Sequence, residues 1–462
     1  MMVNTFFYLE GKYSSLELNA ILLEKNSGLD NLIPKSFRVP SVWRFMVLTL
    51  WYILKNIAWI IIKVPKRYKF SCPDDFSQWY NNTTLFVLPT KNNQNALNKV
   101  IRLLNQNNFD YRLLKFENTP DCYPLMRMDL ISLINLPFLW KDFYNSLYEN
   151  RRIISFYMAY FVFSPGYPWF FFKVLSKYRP QCVIISNDHS CPTKCLELVC
   201  EDLNIKTIYV QHASVSYAFP ELHFSYSFLD GMDALEKYTS DGKKSKGEIY
   251  LLGAVRYDEL SSCRINRIIS KRNCIGIAIN EVDDNLIVNN ICNKLLNMYS
   301  DVRIKIRAHP AMKNTPFLFD NTDRIIYTCA VDENIVEYLD SIDMQIAGDS
   351  GVHFDAIIGG VKTIAFNFSK NEYGDNYGYV RSGMVEYASN FCDLTQYINS
   401  QIEIDEKIVS YYDESFGKTY AGKCSEIIAD FLMSGCNKGY IESKYNLTTR
   451  NNGKRSYFVI AK

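Results

Sequence analysis

Short runs of apolar residues alternate with longer stretches of helix-like pattern from about residue 85 onward. Leu85–Pro89 is the first such run, and a polar loop and a helical stretch through Leu104 follow it. Further strands are predicted at Cys182–Ser186, Thr207–Val210, Phe224–Leu229, Ile249–Gly253, Cys274–Ile279, Val302–Ile306, Arg324–Thr328, Asp343–Ala347 and Val361–Phe366. Strands that alternate with helices are typical of parallel sheets connected by right-handed crossovers. The pattern therefore predicts an α/β protein.

A polar stretch, Tyr257–Asn273, separates two halves of similar pattern. The chain has 462 residues, more than one ordinary core holds, and two domains of about 200 residues each are the default. We therefore predict two Rossmann-like domains, residues 81–262 and 263–435, that face each other across a cleft. Residues 1–80 are predicted to form an aromatic-rich, helical extension, and residues 436–462 a basic tail.

The segment Phe45–Lys69 begins with a nearly apolar run to Ile62, which is interrupted at Lys55 and Asn56. Four basic residues lie among the seven residues that follow this run. A membrane-spanning helix needs about 20 apolar residues with few charges, so a span is the least favoured interpretation. A helix that lies in the membrane interface, with Trp51 and Trp59 as anchors, fits the interruption and the basic end. A buried helix of the first domain is the alternative.

Composition narrows the range of functions. Apolar residues make up 48% of the chain and charged residues 22%, as in globular proteins. Lys and Arg number 51 against 49 Asp and Glu, so charge gives no argument for a nucleic-acid partner. The 13 cysteines lack the spacing of a disulfide framework or a zinc site. The N-terminal residues do not have the pattern of a signal peptide, and a cytoplasmic protein is expected.

Five polar turns each follow a predicted strand. They are Asn187–Ser190, Gln211–Ser214, Gly253–Asp258, Arg307–Pro310 and Gly348–Gly351. Because ligands bind at the carboxyl ends of parallel strands, these turns are expected to line the cleft. Three of the five histidines, His189, His212 and His309, lie in them. A structural hydrogen bond is the alternative for any one of the three, and metal ligation by Asp188, His189 and His212 lacks a zinc-site spacing.

The turn Gly348–Gly351 joins an apolar strand to a short helix. Unpaired backbone N–H groups at the start of a helix favour an anion, so this turn is predicted to bind a phosphate. Asp355, one turn into the helix, is placed to reach a ribose diol. An ordinary capped helix is the alternative, since Asp349 and Ser350 are of the residue types that cap helices.

These motifs together resemble a known group. IRAHP (306–310) followed by GDSGVHFDAIIGGVKTIAF (348–366) resembles the carboxyl-terminal donor domain of GT-B glycosyltransferases. The similarity is to bacterial surface-polysaccharide enzymes, including the CDP-glycerol glycerophosphotransferases and the bacterial sialyl- and Kdo-transferases. The glycerophosphotransferases carry an HP motif and a later Asp-Tyr-Ser-Ser turn with Phe-Asp, comparable to Asp349, Ser350, Phe354 and Asp355. LLGAVRYDEL and YVQHASVS are similar to two further segments of that group.

The resemblance implies a glycosyltransferase that moves a sugar or polyol phosphate from a CMP-, CDP- or UDP-linked donor to a growing cell-surface polysaccharide. Residues 81–262 would then form the acceptor side and residues 263–435 the donor side. The donor phosphates would be held by Arg307, His309 and Pro310, by Gly348, Asp349, Ser350 and Gly351, and by Asp355 at the ribose. A lipid-linked acceptor would place the protein at the inner face of the cytoplasmic membrane.

The acceptor hydroxyl needs a general base, for which His212 and Asp188 are the candidates. Asp283 and Asp284 are interpreted as surface acids at a helix start, so no metal and no cofactor besides the donor are expected. The stretch Asn367–Arg381 is interpreted either as a lid over the site or as a plain surface loop.

Two departures from the group keep other functions open. The chain has His212-Ala213 where His-Gly is expected, and Ser350-Gly351 where Ser-Ser or Ser-Thr is frequent. The Ser-Gly pair is closer to the UDP-N-acetylglucosamine 2-epimerases, although the long aromatic first 180 residues argue against an epimerase. A non-catalytic polysaccharide-assembly subunit is a third interpretation. Arg256 and Asp258 are interpreted as inter-domain or hinge residues.

Overall fold

The computed structural model describes residues 41–67, 83–115, 166–188, 190–215, 217, 219–240, 242–266, 273–312, 319, 323–401 and 405–460. These residues form two compact units. Unit 1 contains the residues up to Leu252 together with those from Ser425 onward, and unit 2 spans Gly253–Cys424. Most of the extension predicted at residues 1–80 lies outside the described residues, as does His189.

Unit 1 is built on one sheet. Its strands are β1 (Thr84–Leu88), β2 (Tyr111–Lys115), β3 (Cys182–Ile185), β4 (Lys206–Val210), β5 (Tyr226–Leu229), β6 (Glu248–Leu251), β13 (Leu447–Asn451) and β14 (Ser456–Ile460), in the order β13-β14-β6-β5-β4-β3-β1-β2. Its helices are α1 (Val42–Arg67), α2 (Lys91–Gln106), α3 (Gly166–Lys177), α4 (Cys191–Asp202), α5 (Met232–Tyr238), α12 (Cys424–Met433) and α13 (Lys438–Tyr445). All described strand pairs are parallel except β13 with β14.

Unit 2 carries a second sheet, of parallel strands. They are β7 (Cys274–Ile279), β8 (Arg303–Ala308), β9 (Ile325–Cys329), β10 (Met344–Ala347), β11 (Lys362–Phe366) and β12 (Glu386–Ala388), in the order β12-β11-β10-β7-β8-β9. The helices are α6 (Asp258–Asn266), α7 (Asn285–Met298), α8 (Ile335–Asp340), α9 (Val352–Ile358), α10 (Phe391–Asn399) and α11 (Glu406–Tyr412). The predicted α/β class with two parallel, Rossmann-like sheets is confirmed, whereas a cleft between the domains stays a prediction.

Strand β7 shows why the strands of unit 2 are continuous apolar runs. Its side chains alternate between two buried clusters, with Ile275, Ile277 and Ile279 on one face and Cys274 on the other. Both faces are therefore covered, as parallel sheets require. Gly276 is needed in this strand because a Cβ there would lie 2.4 Å from the buried hydroxyl of Tyr338.

The C-terminal residues are not a loose tail. The expectation of a basic tail at residues 436–462 is corrected by α13, β13 and β14, which complete the sheet of unit 1. Tyr457 and Val459 are buried in its core, and Val459 pairs with Leu251 of β6. The basic residues lie outside this core, where Lys438 stacks over the Phe458 ring at 3.9 Å. The continuous apolar run Tyr457–Ile460 was the signal for this strand.

The structure divides at Leu252 and Gly253, earlier than the predicted boundary between residues 262 and 263. Much of the polar stretch expected to join the domains is helix α6, which packs in unit 2 through Leu260. Gly253 has a φ of +95°, and a Cβ there would lie 2.5 Å from Asp413 Oδ1. This position therefore requires glycine.

Helix α1 has one buried and one exposed apolar face. Phe45 is 1% exposed and belongs to the core of unit 1. Large apolar side chains on the helix are exposed, namely Val42, Trp43, Met46, Val47, Leu50, Trp51, Leu54 and Ile57. Within the described part of the chain, none of the helices is both long and apolar enough to cross a bilayer.

Candidate functional site

Three polar turns of unit 1 lie at the carboxyl ends of neighbouring strands. Asp188 follows β3, His212 follows β4 and Asp230 follows β5, and these three strands are adjacent in the sheet. Neighbouring strands are about 4.8 Å apart, so the turns meet at one edge. The sequence singled out the first two turns, and Asp230 follows the same rule.

Asp188 is held by a buried hydrogen-bond network. It is 1% exposed, and the hydroxyl of Tyr238 donates to its Oδ2 at 2.6 Å. The Tyr238 hydroxyl lies 3.1 Å from that of Tyr209. Burial and the nearby carboxylate raise the pKa of Tyr238 well above its usual range, so its proton stays on the phenol. The carboxylate is thus fixed inside unit 1 rather than presented at its surface.

His212 lies on a braced loop and is half-buried. The preceding Gln211 accepts a hydrogen bond from the backbone N–H of Asp230 at 3.0 Å, and its amide donates to the carbonyl of Ala213 at 2.9 Å. This clamp fixes the backbone on both sides of His212. No group of three or more His, Cys, Asp or Glu side chains placed to hold a metal occurs in the described ranges.

In unit 2 the candidate residues also converge at the ends of adjacent strands. Arg307 and His309 come at the end of β8, the turn Gly348–Gly351 follows β10, and β7 lies between these two strands. The residues after β7, which include Asp283, therefore belong to the same edge. The structure thus places at one edge of the sheet the two turns, far apart in sequence, that were predicted to hold the donor.

The side chain of Ser350 accepts a hydrogen bond at the end of the turn Gly348–Gly351. Ser350 Oγ accepts a hydrogen bond from the backbone N–H of Val352 at 3.4 Å, and Gly351 has helical backbone angles. The following helix, α9, has seven residues. A helix dipole that short adds little, so the anion-binding hypothesis depends on the turn itself.

Asp349 fastens a neighbouring loop. Its carboxylate accepts hydrogen bonds from the backbone N–H of Asn376 at 2.9 Å and from the Asn376 side chain at 2.6 Å. Asp375 in turn accepts from the backbone N–H groups of Val380 and Arg381. The loop within Asn367–Arg381 is therefore tied to the turn after β10.

Tyr377 of this loop lies against the turn. A Cβ on Gly351 would be 3.7 Å from the Tyr377 ring and 3.8 Å from its hydroxyl oxygen. The ring is 38% exposed and stacks on Tyr379, which stacks on Phe354 of α9. The loop thus presents an aromatic face beside the turn, which the sequence did not single out within its Tyr-rich stretch.

Asp283 differs from the sequence interpretation. A Cβ on Gly348 would lie 3.1 Å from Asp283 Oδ1, and Oδ2 accepts from the backbone N–H of Asn280 at 2.7 Å. Burial raises the pKa of Asp283 to about 6. The interpretation as a surface acid was therefore wrong for Asp283, whereas Asp284 caps α7 as its position suggested.

Arg307 and Asp355 belong to one cluster. The Arg307 guanidinium donates to the carbonyl of Glu333 at 3.2 Å, and burial lowers its pKa while nearby Asp355 opposes that shift. Burial raises the pKa of Asp355, and the Tyr257 hydroxyl, Arg256 and Arg307 counteract this. Arg256 is thus a neighbour of Asp355 inside unit 2, and Asp355 is engaged by these three side chains.

His309 is exposed at the end of β8. Its Nδ1 accepts from the backbone N–H of Ala311 at 3.3 Å and lies 3.8 Å from Glu281 Oε1. Pro310 begins a short 3-10 helix that directs the chain away from the strand. The His309 side chain is 54% exposed.

No protein-family model matches the sequence, and no curated protein matches it either. Solved structures include a UDP-GlcNAc 2-epimerase from Neisseria meningitidis bound to UDP-GlcNAc, with 15% identity, TM-score 0.45, and 77% of this chain and 100% of that chain covered. MurG from Acinetobacter baumannii has 8% identity, TM-score 0.41 and coverage of 77% and 99%. A glycosyltransferase from Rickettsia africae has 12% identity, TM-score 0.39 and coverage of 79% and 96%. At these values the likeness assigns no activity to this chain.

The raised pKa of Asp283 predicts a pH-dependent effect of the variant Asp283→Asn. Because the folded pKa of about 6 lies above the usual 3.8, the folded state binds the extra proton between these values, and ionisation of Asp283 lowers stability as pH rises through them. Asp283→Asn should therefore raise the free energy of unfolding by about 1–3 kcal/mol near pH 7 and by almost nothing near pH 4. Urea unfolding at the two pH values measures this difference. An equal effect at both would contradict the assignment.

Proposed function

We propose that the protein is a GT-B-type glycosyltransferase that uses a nucleotide-activated sugar, or polyol phosphate, as donor. The observation that carries this proposal is the meeting of Arg307, His309 and the turn Gly348–Gly351 at the carboxyl ends of β8 and β10, with β7 between them. Such an edge of a parallel sheet is where nucleotides bind in proteins of this architecture. The donor is of the CMP, CDP or UDP type.

The donor phosphates are held by groups of two kinds in this proposal. The backbone N–H groups of the turn and Ser350 Oγ supply fixed hydrogen-bond donors, and Arg307 and His309 neutralise the charge that develops as the nucleotide leaves. With a sugar donor, the bond between the sugar carbon and the phosphate oxygen breaks and the acceptor oxygen bonds to that carbon. With a polyol-phosphate donor, the P–O bond of the diphosphate breaks and the acceptor oxygen bonds to phosphorus. In both cases the nucleotide leaves and the acceptor proton passes to the general base. Transfer without a metal is part of the proposal, and retained activity in EDTA is its test.

The general base in this proposal is His212. Asp188 is the weaker candidate because its carboxylate is buried and already accepts a hydrogen bond from the Tyr238 hydroxyl. His212 is half-buried, and imidazole is the side chain used most often as a general base. The role of Asp188 in this proposal is structural: its hydrogen bond with Tyr238 stabilises the edge of the sheet at which His212 lies. The acceptor is a growing polysaccharide or its lipid-linked precursor, of the capsule, O-antigen or teichoic-acid type.

The donor site predicts selective nucleotide binding. The purified chain should be stabilised by a cytidine or uridine nucleotide in a panel of CMP, CDP, UDP, GDP and ADP, by about 2.7 kcal/mol at 100 times the dissociation constant. Ser350→Trp should abolish the shift because the indole fills the turn. Ser400→Trp, at an exposed serine elsewhere in unit 2, should leave it unchanged. Thermal unfolding measures all three proteins, and the absence of any shift would overturn the donor site.

The epimerase remains a second candidate on a specific observation. Asp283, whose pKa is raised to about 6, lies beside the turn and could exchange a proton with a bound donor sugar. An epimerase would convert a UDP-sugar without an acceptor and would introduce solvent deuterium at the epimerised carbon. A transferase would release nucleotide when an acceptor is present and would incorporate no deuterium. Nucleotide binding with neither reaction would favour a non-catalytic assembly subunit.

The base assignment predicts the effect of His212→Ala. Nucleotide binding should be retained, because His212 belongs to unit 1, and turnover should fall by about 100-fold or more as general-base catalysis is lost. His223→Ala is the matched control, since His223 lies in the same unit and pairs with Glu221. Initial rates of nucleotide release with acceptor measure both variants. Full activity of His212→Ala would contradict the assignment.

We propose further that helix α1 rests on the cytoplasmic face of the membrane, near a lipid-linked acceptor. Between Val42 and Arg67 the helix contains five basic residues and lacks acidic ones, and its apolar stripe includes Trp43 and Trp51, which are 76% and 61% exposed. Exposed tryptophans beside basic residues suit an anionic lipid surface. Phe45 on the opposite face anchors the helix to unit 1.

The membrane proposal predicts lipid-dependent binding. The full chain should bind vesicles containing phosphatidylglycerol more tightly than vesicles of phosphatidylcholine, and Trp43→Ser with Trp51→Ser should weaken binding by about tenfold or more. Tyr217→Ser, at another exposed aromatic residue of unit 1, is the control. Cosedimentation measures the binding. Equal binding by the double variant and the control would contradict the proposal.

A further inference from the structure

A buried polar cluster lies beneath the turn Gly348–Gly351 and has no part in the function proposed so far. It consists of His353 on α9, Thr363 on β11 and Gln345 on β10, which are 1%, 4% and 0% exposed. Burying three polar side chains costs free energy unless each is hydrogen-bonded. Their contacts therefore indicate what the cluster holds in place.

The hydrogen bonds define the protonation of the imidazole. His353 Nε2 lies 2.9 Å from the carbonyl oxygen of Gly348, and a carbonyl can only accept, so Nε2 carries the proton. His353 Nδ1 lies 2.6 Å from Thr363 Oγ1 and, in the neutral ring, accepts from that hydroxyl. Gln345 Nε2 donates to Thr363 Oγ1 at 3.2 Å and to the carbonyl of Val352 at 3.1 Å. These hydrogen bonds thus form one continuous series from Gln345 on β10 to the carbonyl of Gly348 in the turn.

This series of hydrogen bonds orients the peptide group between Gly348 and Asp349. A trans peptide is planar, and its C=O and N–H point in opposite directions. When His353 draws the Gly348 carbonyl towards the interior, the N–H of the same peptide, which belongs to Asp349, points away from it. Since the interior lies on one side of this peptide, the Asp349 N–H is directed to the side on which a ligand of the turn would lie.

We propose that His353 is a positioning residue: as a neutral Nε2–H imidazole it fixes the Gly348 carbonyl inward and thereby presents the Asp349 N–H to the donor phosphate. This inference rests on the proposed function, because it assumes that the turn binds a phosphate. Thr363 and Gln345 support this role. The Thr363 hydroxyl donates to Nδ1 and so keeps the proton of the ring on Nε2, and the Gln345 amide orients that hydroxyl.

The surroundings keep the ring neutral. Burial lowers the pKa of His353 to about 4, and the backbone carbonyls of Gly348 and Ala347 and the charge of Asp375 oppose this shift in part. Protonation of Nδ1 would remove the acceptor for the Thr363 hydroxyl. The imidazole therefore donates to Gly348 throughout the neutral pH range, without change of charge.

The first part of the test needs no ligand. In histidine-labelled full-length chain, nitrogen NMR should show one ring, absent from His353→Gln, that stays a neutral Nε2–H tautomer from about pH 7 to about pH 5. Five histidines make this assignment tractable. Titration of that ring near its usual pKa, or an Nδ1–H tautomer, would overturn the proposal.

The second part compares variants by their affinity for UDP and CDP. A glutamine amide nitrogen reaches about as far as Nε2, so His353→Gln should keep affinity within about threefold of the wild type, whereas His353→Leu should lose about tenfold or more. Amide hydrogen exchange at residues 348–350 should accelerate in His353→Leu and be restored in His353→Gln. This rescue separates positioning from mere filling of the core, because leucine fills the space as well.

The outcomes separate the two proposals. If the wild type binds neither nucleotide, the proposed function and the positioning role both fail. If the wild type binds and the leucine and glutamine variants bind equally well, the positioning role alone fails. Loss of affinity in His353→Leu with recovery in His353→Gln supports it.

Discussion

The parallel pairing of the strands decides where the polar turns of both units lie. Parallel neighbours need a crossover between them, so every carboxyl end of such a set of strands falls at the same edge. Residues as distant in sequence as Arg307 and Gly348 therefore lie at the same edge of the sheet of unit 2, with β7 between their strands, and Asp188 and His212 follow adjacent strands in unit 1. The same crossovers cover both faces of the sheet, which explains the nearly continuous apolar runs of the strands.

The two carboxylates near the turn Gly348–Gly351 are accommodated in different ways. Two carboxylates, Asp283 and Asp349, lie close to a turn that is proposed to receive an anion. The carboxylate of Asp349 accepts hydrogen bonds from the backbone and side-chain amides of Asn376, which stabilise it without removing its charge. Burial raises the pKa of Asp283 to about 6, so this carboxylate carries less negative charge at mildly acidic pH. In the same unit, Arg256 and Arg307 both act on the carboxylate of Asp355 and oppose the rise in its pKa that burial causes.

The sequence predicted the strands well because their apolar character is local. Cys274–Ile279 was predicted with its observed bounds, and the polar turns were placed correctly by the strand ends. Roles that depend on distant contacts were not predictable. Asp283 and Asp284 look alike in sequence, yet Gly348 lies against one and Lys370 pairs with the other. Nothing in the sequence singled out His353, because its partners Thr363 and Gln345 come from strands β11 and β10.

The insertion of unit 2 into unit 1 determines an order of assembly during synthesis. Strand β14 pairs with β6 on one side and β13 on the other, and it is made after all of Gly253–Cys424. Unit 2 is continuous in sequence and can complete its sheet while it leaves the ribosome, since domains fold as units during translation. Unit 1 cannot complete its sheet until β14 has been synthesised, and until then the edge of β6 is unpaired. Unit 1 is therefore the unit that needs protection from aggregation in the nascent chain.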